Sequence, residues 1–289
     1  MLKYLSHADR VPDGFTSNLI RYPIGTLVYL PLLIHAIRRG RLGAFWLAAL
    51  IPTAVNIAGQ TLWAWSFFHL EAGMIAFLIR LCVVWSILGA FWLFRDERQL
   101  ARSPRFWIGT ILALAGFVIM SVKGVSATAG VSVVGIVMMF FCSIFWGMYG
   151  VGVRYVMRDI HPLVVFSIVG SYTSIGLIVM APLGEPASVL QLKPTTLTLL
   201  VVSALIGISA AHGLFYAAVQ RIGVAISSLT LAATPFVSII VSHLALGERF
   251  SPGQWIGGLI LIAGSTLALW SQQRLPPPPV PDPHEIGTE

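Results

Sequence analysis

Charge is what this sequence has least of. Only 10% of its 289 residues are Asp, Glu, Lys or Arg, while 57% are hydrophobic and the mean hydropathy is +0.85. A soluble domain of ordinary make-up carries about 25% charged residues, so that class is excluded and the chain reads as an integral membrane protein. Acidic residues are the scarcer sign, 11 against 18 basic ones, and all of them fall in loops, helix ends or the tail. That distribution argues against a buried carboxylate as a proton carrier. Cysteine is nearly absent: Cys82 and Cys142 both lie inside apolar runs, where a thiol serves as a small hydrophobe rather than a disulfide or metal ligand. The marks of catalysis are missing too. There is no His-Glu-x-x-His, no Gly-x-Ser-x-Gly, no phosphate loop and no pair of intramembrane carboxylates, and the seven histidines do not cluster at metal-ligand spacing. An enzyme is therefore not expected, nor any catalytic residue, metal or other cofactor. The polar stretch Met1 to Asp13 is not a cleavable signal peptide.

What the chain has instead is a series of long apolar runs. About nine reach the length needed to cross roughly 30 Å of hydrocarbon. They are Thr16–Ile37, Gly43–Phe68, Ala72–Phe94, Phe106–Val122, Val131–Val153, Leu163–Leu183, Thr196–Val219, Gly223–Leu246 and Gly253–Ser271. Apolar character on all sides, without period-two alternation, predicts helices and not a barrel. Gln272 to Glu289, with its run Pro276 to Pro279, reads as an extended, disordered tail.

The basic residues orient this series. Arg38, Arg39, Arg41, Arg95, Arg98, Arg102, Arg105, Arg154, Arg158, Arg221 and Arg274 share one side; Lys3, Arg10, Lys123, Lys193 and Arg249 share the other. The positive-inside rule makes the first side, and with it the C-terminus, cytoplasmic.

The chain also repeats itself. Trp107-Ile108-Gly109 followed by Ala115-Gly116 recurs as Trp255-Ile256-Gly257 followed by Ala263-Gly264; each frame follows an apolar run closed by Glu-Arg, at Glu97-Arg98 and Glu248-Arg249. Pro12 and Tyr22 are spaced like Pro162 and Tyr172. The period is about 150 residues, and duplicated membrane halves mark secondary transporters. Val131–Val153, which leads the second copy, has no counterpart before Lys3, so an opening helix of the first copy is expected upstream of the chain. A copy of five helices, an odd number, inserts its twin upside down, which predicts an inverted-topology repeat. The resulting domains are 1–124 for the first copy, 125–271 for the second and 272–289 for the tail.

In these features the chain resembles the EamA-like, ten-helix branch of the drug/metabolite transporter superfamily. The likeness rests on Arg21 in an apolar helix after a short polar loop, Leu246-Gly247-Glu248-Arg249 with its twin Phe94-Arg95-Asp96-Glu97-Arg98, Ala233-Thr234-Pro235-Phe236-Val237, and the two Trp-Ile-Gly helices. It covers nearly everything but the tail. It implies an all-α polytopic bundle that exports a small polar metabolite, such as an amino acid, by alternating access, and it implies that the two Trp-Ile-Gly helices pack on each other. Two departures are the absent first helix and Val83 or Val84 where the second copy has Pro235. A bacterial inner membrane is the expected location. A small-molecule substrate and the lipid bilayer are the expected partners, with no nucleic acid; a homodimer is open. The alternative is a non-transporting scaffold or defective paralogue.

Polar residues within the spans carry what chemistry there is. Asn56 and Gln60 are four apart and share a helix face, with Trp63 beside it. The position equivalent to Gln60 in the second copy is His212, with Tyr216 four residues on. These four are expected to converge on a cavity between the halves, or else to hydrogen-bond neighbouring helices for about 0.6 kcal/mol each. Trp146 and Tyr149 are aromatic candidates for ligand stacking or for packing. Arg80 lies roughly 13 Å along its helix with no deep acidic partner, and is expected either to meet a substrate carboxylate or to bond helix-end carbonyls. Pro235 is a candidate kink, and Glu97 and Glu248 are expected to cap or anchor helix ends.

Overall fold

The computed structural model describes residues 11–40, 43, 45–66, 69–70, 72–121, 132–157, 160–246 and 251–272. Glu71, Lys123, Arg158, Glu248, Arg249 and the Pro-rich tail, on which some of the expectations above fall, lie outside them. Every regular element among the described residues is helical. The α-helices are α1 (Gly14–Leu27), α2 (Leu30–Arg38), α3 (Phe45–Ala48), α4 (Leu50–Ser66), α5 (Ala72–Leu78), α6 (Leu81–Leu93), α7 (Pro104–Ser121), α8 (Val133–Met157), α9 (Pro162–Met180), α10 (Pro194–Ala204), α11 (Ala211–Leu231), α12 (Thr234–Leu246) and α13 (Pro252–Gln272).

Proline does much of the punctuation. Pro104, Pro162, Pro194 and Pro252 each open a helix, where the missing N–H costs nothing. The first span is capped by Asp13, whose Oδ1 accepts the Thr16 N–H at 2.8 Å. It then breaks between α1 and α2 with a 53° bend, next to Pro31 at the start of α2. Among the described residues, five helical segments are long and apolar enough to cross a membrane, or six if the bent pair counts as one. One of them, Pro194–Leu231, has 38 residues, about 57 Å of helix and far more than one crossing needs. It is interrupted at Gly223, with φ 77° and ψ 174°, a conformation reserved for glycine. The predicted boundary between the seventh and eighth spans falls at this residue.

Contacts fix the relative direction of two helix pairs. Thr26 meets Ser174 and Tyr29 meets Phe166, while Asp13 meets Glu185, so α1 and α9 are antiparallel. The two Trp-Ile-Gly helices, α7 and α13, make the closest pairing in the molecule. A Cβ on Gly109 would stand 2.6 Å from Ala268 N, and one on Gly116 2.4 Å from Leu261 N. In the reverse sense, a Cβ on Gly257 would stand 2.6 Å from Met120 N, and one on Gly264 2.4 Å from Ala113 N. The helices thus run antiparallel, backbone against backbone, and the repeated glycines are what allows it. One end of the bundle gathers Glu97, Arg154 and Gly223; the other gathers Asp13, His69, Gly135 and Glu185.

Candidate substrate site

The polar residues singled out in the sequence come together where α1, α4, α8, α9 and α11 meet. Gln60, on α4, donates from Nε2 to the Tyr22 hydroxyl on α1 at 2.6 Å, and the Asn56 side chain approaches the same hydroxyl. Asn56 Nδ2 also donates to Thr173 Oγ1 on α9 at 3.2 Å. On the other flank the hydroxyls of Tyr149 (α8) and Tyr216 (α11) share a hydrogen bond of 2.7 Å. His212 joins the two flanks. Its ring stacks on Phe166 at 5.3 Å between centroids and stands edge-on to Tyr22 at 6.2 Å and to Tyr149 at 6.4 Å. Its Nδ1 is 3.1 Å from the Ile208 carbonyl one turn back. Asn56, Gln60, Tyr149 and Tyr216 are buried and His212 is half-buried.

Trp63 and Trp146 lie one turn further along α4 and α8 and stack on each other, 5.1 Å apart and inclined by 25°. The Trp146 ring lies against Gly59, where a Cβ would be 2.3 Å from it. Its Nε1 is buried and has no hydrogen-bond partner among the described residues. Packing accounts for the ring and leaves the N–H uncommitted.

Arg80 has different neighbours. It sits in the break between α5 and α6, and its Nη1 reaches the Leu231 carbonyl at 3.4 Å, while its Nε is buried without a partner. Leu231 ends α11, and Pro235 is the second residue of α12, after a two-residue gap at Ala232 and Ala233. Since proline has no N–H, the carbonyl four residues back has no helical partner. That carbonyl is Leu231's, and it takes the Thr234 hydroxyl at 2.6 Å as well as Arg80. Pro235 thus starts a helix after a break instead of bending one in its middle. The first copy, with valine at the matching place, breaks at Ile79–Arg80 nonetheless.

Glu97 is buried, at 3% exposure, and is not the exposed interfacial anchor its position at a helix end implies. Its two carboxylate oxygens accept the N–H groups of Val224 and Ala225 at 2.8 Å each. Arg154 bridges Glu97 and Asp96 and lies over the Phe94 ring. Capping was legible; the distant helix that is capped was not.

Sequence reasoning missed Tyr22, Phe166 and Thr173 as members of the cluster, and Thr26 with Ser174 beside it. Their signal was the same as that of Gln60: a polar or aromatic group in an apolar span, here on helices whose stripes were not followed. No group of three His, Cys, Asp or Glu able to hold a metal occurs among the described residues.

The fold and its buried polar seam define a multi-pass α-helical membrane protein. Residues 133–270 match the model of the EamA-like transporter family. An uncharacterized transporter of Haemophilus influenzae is 24% identical over 200 residues, covering 68% of this chain and 65% of that protein, so the chain spans just under two thirds of that relative's length. A solved crystal structure superposes with a TM-score of 0.71 at 17% identity, covering 95% of this chain and 93% of the other, which establishes a shared fold.

Proposed function

We propose that this protein is a secondary transporter that exports a small polar metabolite, such as an amino acid, across a bacterial inner membrane. The observation that carries this reading is the composition of the polar cluster. Tyr22, Asn56 and Gln60 come from the first half, Tyr149, Thr173, His212 and Tyr216 from the second; Asn56 hydrogen-bonds Thr173 across the boundary, and Tyr22 meets the His212 ring edge-on across it. In transporters built from repeats, the substrate site lies between the repeats near the bilayer midplane. The antiparallel pairing of α7 with α13 and of α1 with α9, each a pair about 150 residues apart, supports an inverted-topology repeat. The match of residues 133–270 to the EamA-like transporter family supports the same reading and points to a transporter rather than an enzyme.

In this account Asn56, Gln60, His212, Tyr149 and Tyr216 form the polar part of the substrate site, and Trp63 with Trp146 its aromatic side. Arg80 and Pro235 hold the two broken spans where they cross, so that their half-helices can tilt when access alternates. The end bearing Arg154 and Arg221, and with it the C-terminus, faces the cytoplasm. The test is efflux of a radiolabelled mixture of the protein amino acids from proteoliposomes. Wild-type protein is expected to release part of the mixture faster than empty vesicles, and Gln60→Leu to slow that release at least about tenfold. Release no faster than from empty vesicles would contradict the reading.

A further inference from the structure

Arg21 is a second cation set deep in the apolar zone. It lies eight residues beyond the Asp13 cap, about 12 Å along α1. A guanidinium at that depth is costly unless it is paired or faces water. No carboxylate pairs with it: both ion pairs among the described residues belong to Arg154.

One arm of the guanidinium is fixed. Nε donates to Ser203 Oγ on α10 at 2.9 Å, and that hydroxyl is itself tied to the Leu200 carbonyl at 2.9 Å. The remaining four N–H groups, on Nη1 and Nη2, have no hydrogen-bond partner among the described residues. They also have room. Beside Nη2 stands Gly207, where a Cβ would be 3.4 Å from that nitrogen, so a larger side chain would crowd the fork. Gly207 belongs to a π-helical turn, Leu205–Ala210, a distortion found often at functional sites. The same turn supplies the Ile208 carbonyl to His212 and the Ser209 carbonyl to Tyr29. Tyr22 follows Arg21 on α1, and the turn that brings Gly207 to its Nη2 is the one whose Ile208 carbonyl meets His212. It therefore borders the polar cluster, on the boundary between the two halves.

We propose that Arg21 is the anion-recognising residue of the substrate site, taking a carboxylate end-on through Nη1 and Nη2. This rests on the transport reading above and names the chemical class of the cargo: a carboxylate-bearing small molecule. Ser203 positions the fork by holding Nε, and Gly207 keeps its approach open. A planar fork with two parallel N–H donors matches a carboxylate in a way that a lysine ammonium does not. Arg80, tied to the Leu231 carbonyl, is left with the crossing of the broken helices.

The test uses proteoliposome efflux of the radiolabelled amino-acid mixture, with unlabelled amino acids or their amides as internal competitors. Wild-type protein is expected to be inhibited by the acids and hardly by the amides. Arg21→Gln should raise KM at least about tenfold and erase that discrimination; Arg21→Lys should restore neither fully. Arg80→Gln should lower kcat and leave the discrimination intact. Ser203→Ala, which keeps the guanidinium but frees Nε, should raise KM roughly threefold at unchanged kcat, and serves if Arg21→Gln does not fold. Discrimination and KM unchanged in Arg21→Gln, or KM unchanged in Ser203→Ala, would overturn the assignment while leaving the transport reading intact. A wild-type protein that moves none of the mixture would contradict both.

Discussion

The carboxylate of Glu97 closes the start of the helical segment that follows Gly223, accepting the N–H groups of Val224 and Ala225 at 2.8 Å each. The contact joins residues 127 and 128 positions apart in sequence and works only because Gly223 has no side chain: a Cβ there would stand 2.8 Å from Glu97 Cδ. A carboxylate at a helix N-terminus satisfies orphan donors and meets the positive end of the helix dipole. Arg154 neutralises it from the other side.

Removing either partner of this contact is therefore expected to be costly. Glu97→Ala should lower the unfolding free energy by about 1–3 kcal/mol, because it leaves the buried N–H groups of Val224 and Ala225 without an acceptor and Arg154 with Asp96 alone. Gly223→Ala should cost about 1–3 kcal/mol from backbone strain alone, before any clash with Glu97. Thermal unfolding of purified protein in detergent checks both, and a shift within error of zero for Glu97→Ala would refute the cap.

The glycine seam makes a sharper demand. Gly116→Ala places a methyl carbon 2.4 Å from the Leu261 amide nitrogen, and Gly264→Ala does the same against Ala113. Neither neighbour is a flexible side chain that can swing away. Each substitution is expected to destabilise by about 3 kcal/mol or more, while Gly253→Ala, with little nearby, should be close to neutral. Monodispersity and melting temperature after purification discriminate among the three.

The Tyr149–Tyr216 pair predicts non-additivity. Each single Tyr→Phe change leaves one buried hydroxyl without its partner at a cost of about 1–3 kcal/mol, whereas the double change removes both hydroxyls together. The double variant should be less destabilised than the sum of the singles. Additive losses in a double-mutant cycle would show that the bond contributes nothing to stability.

Much of this was legible in the sequence, and the reason differs from place to place. The helical, multi-span character was legible because lipid forces every backbone group into internal hydrogen bonds, but against about nine expected spans five or six segments among the described residues are long and apolar enough to cross. The pairing of α7 with α13 was implied by the family resemblance, and the four repeated glycines are what permits it. The convergence of Gln60 and His212 followed from repeat equivalence. Less accessible were the breaks: nothing in Phe77 to Cys82 marks the interruption at Ile79–Arg80, since no proline or glycine stands there. The π-helical turn at Leu205–Ala210 has no local signature beyond Gly207. Nor does the sequence pair Glu97 with Gly223 or Arg21 with Ser203, because such contacts depend on how helices far apart in the chain lie against each other.

The orientation of the bundle gives a prediction that needs no substrate. With Cys82 and Cys142 replaced by alanine, a cysteine at Ser251 should be modified by a membrane-impermeant maleimide added to whole cells, and one at Ser103 only after the membrane is opened. The reverse pattern would invert the orientation read from the basic residues.

The most direct test of the central claim, that the cluster around Tyr22 is the substrate site, is protection of a cysteine placed within it. Gln60→Cys in the same cysteine-free background should react with a small methanethiosulfonate reagent, and a saturating amino-acid mixture should slow that reaction several-fold. A cysteine at position 60 that is unreactive, or reacts equally fast with and without the amino acids, would contradict it.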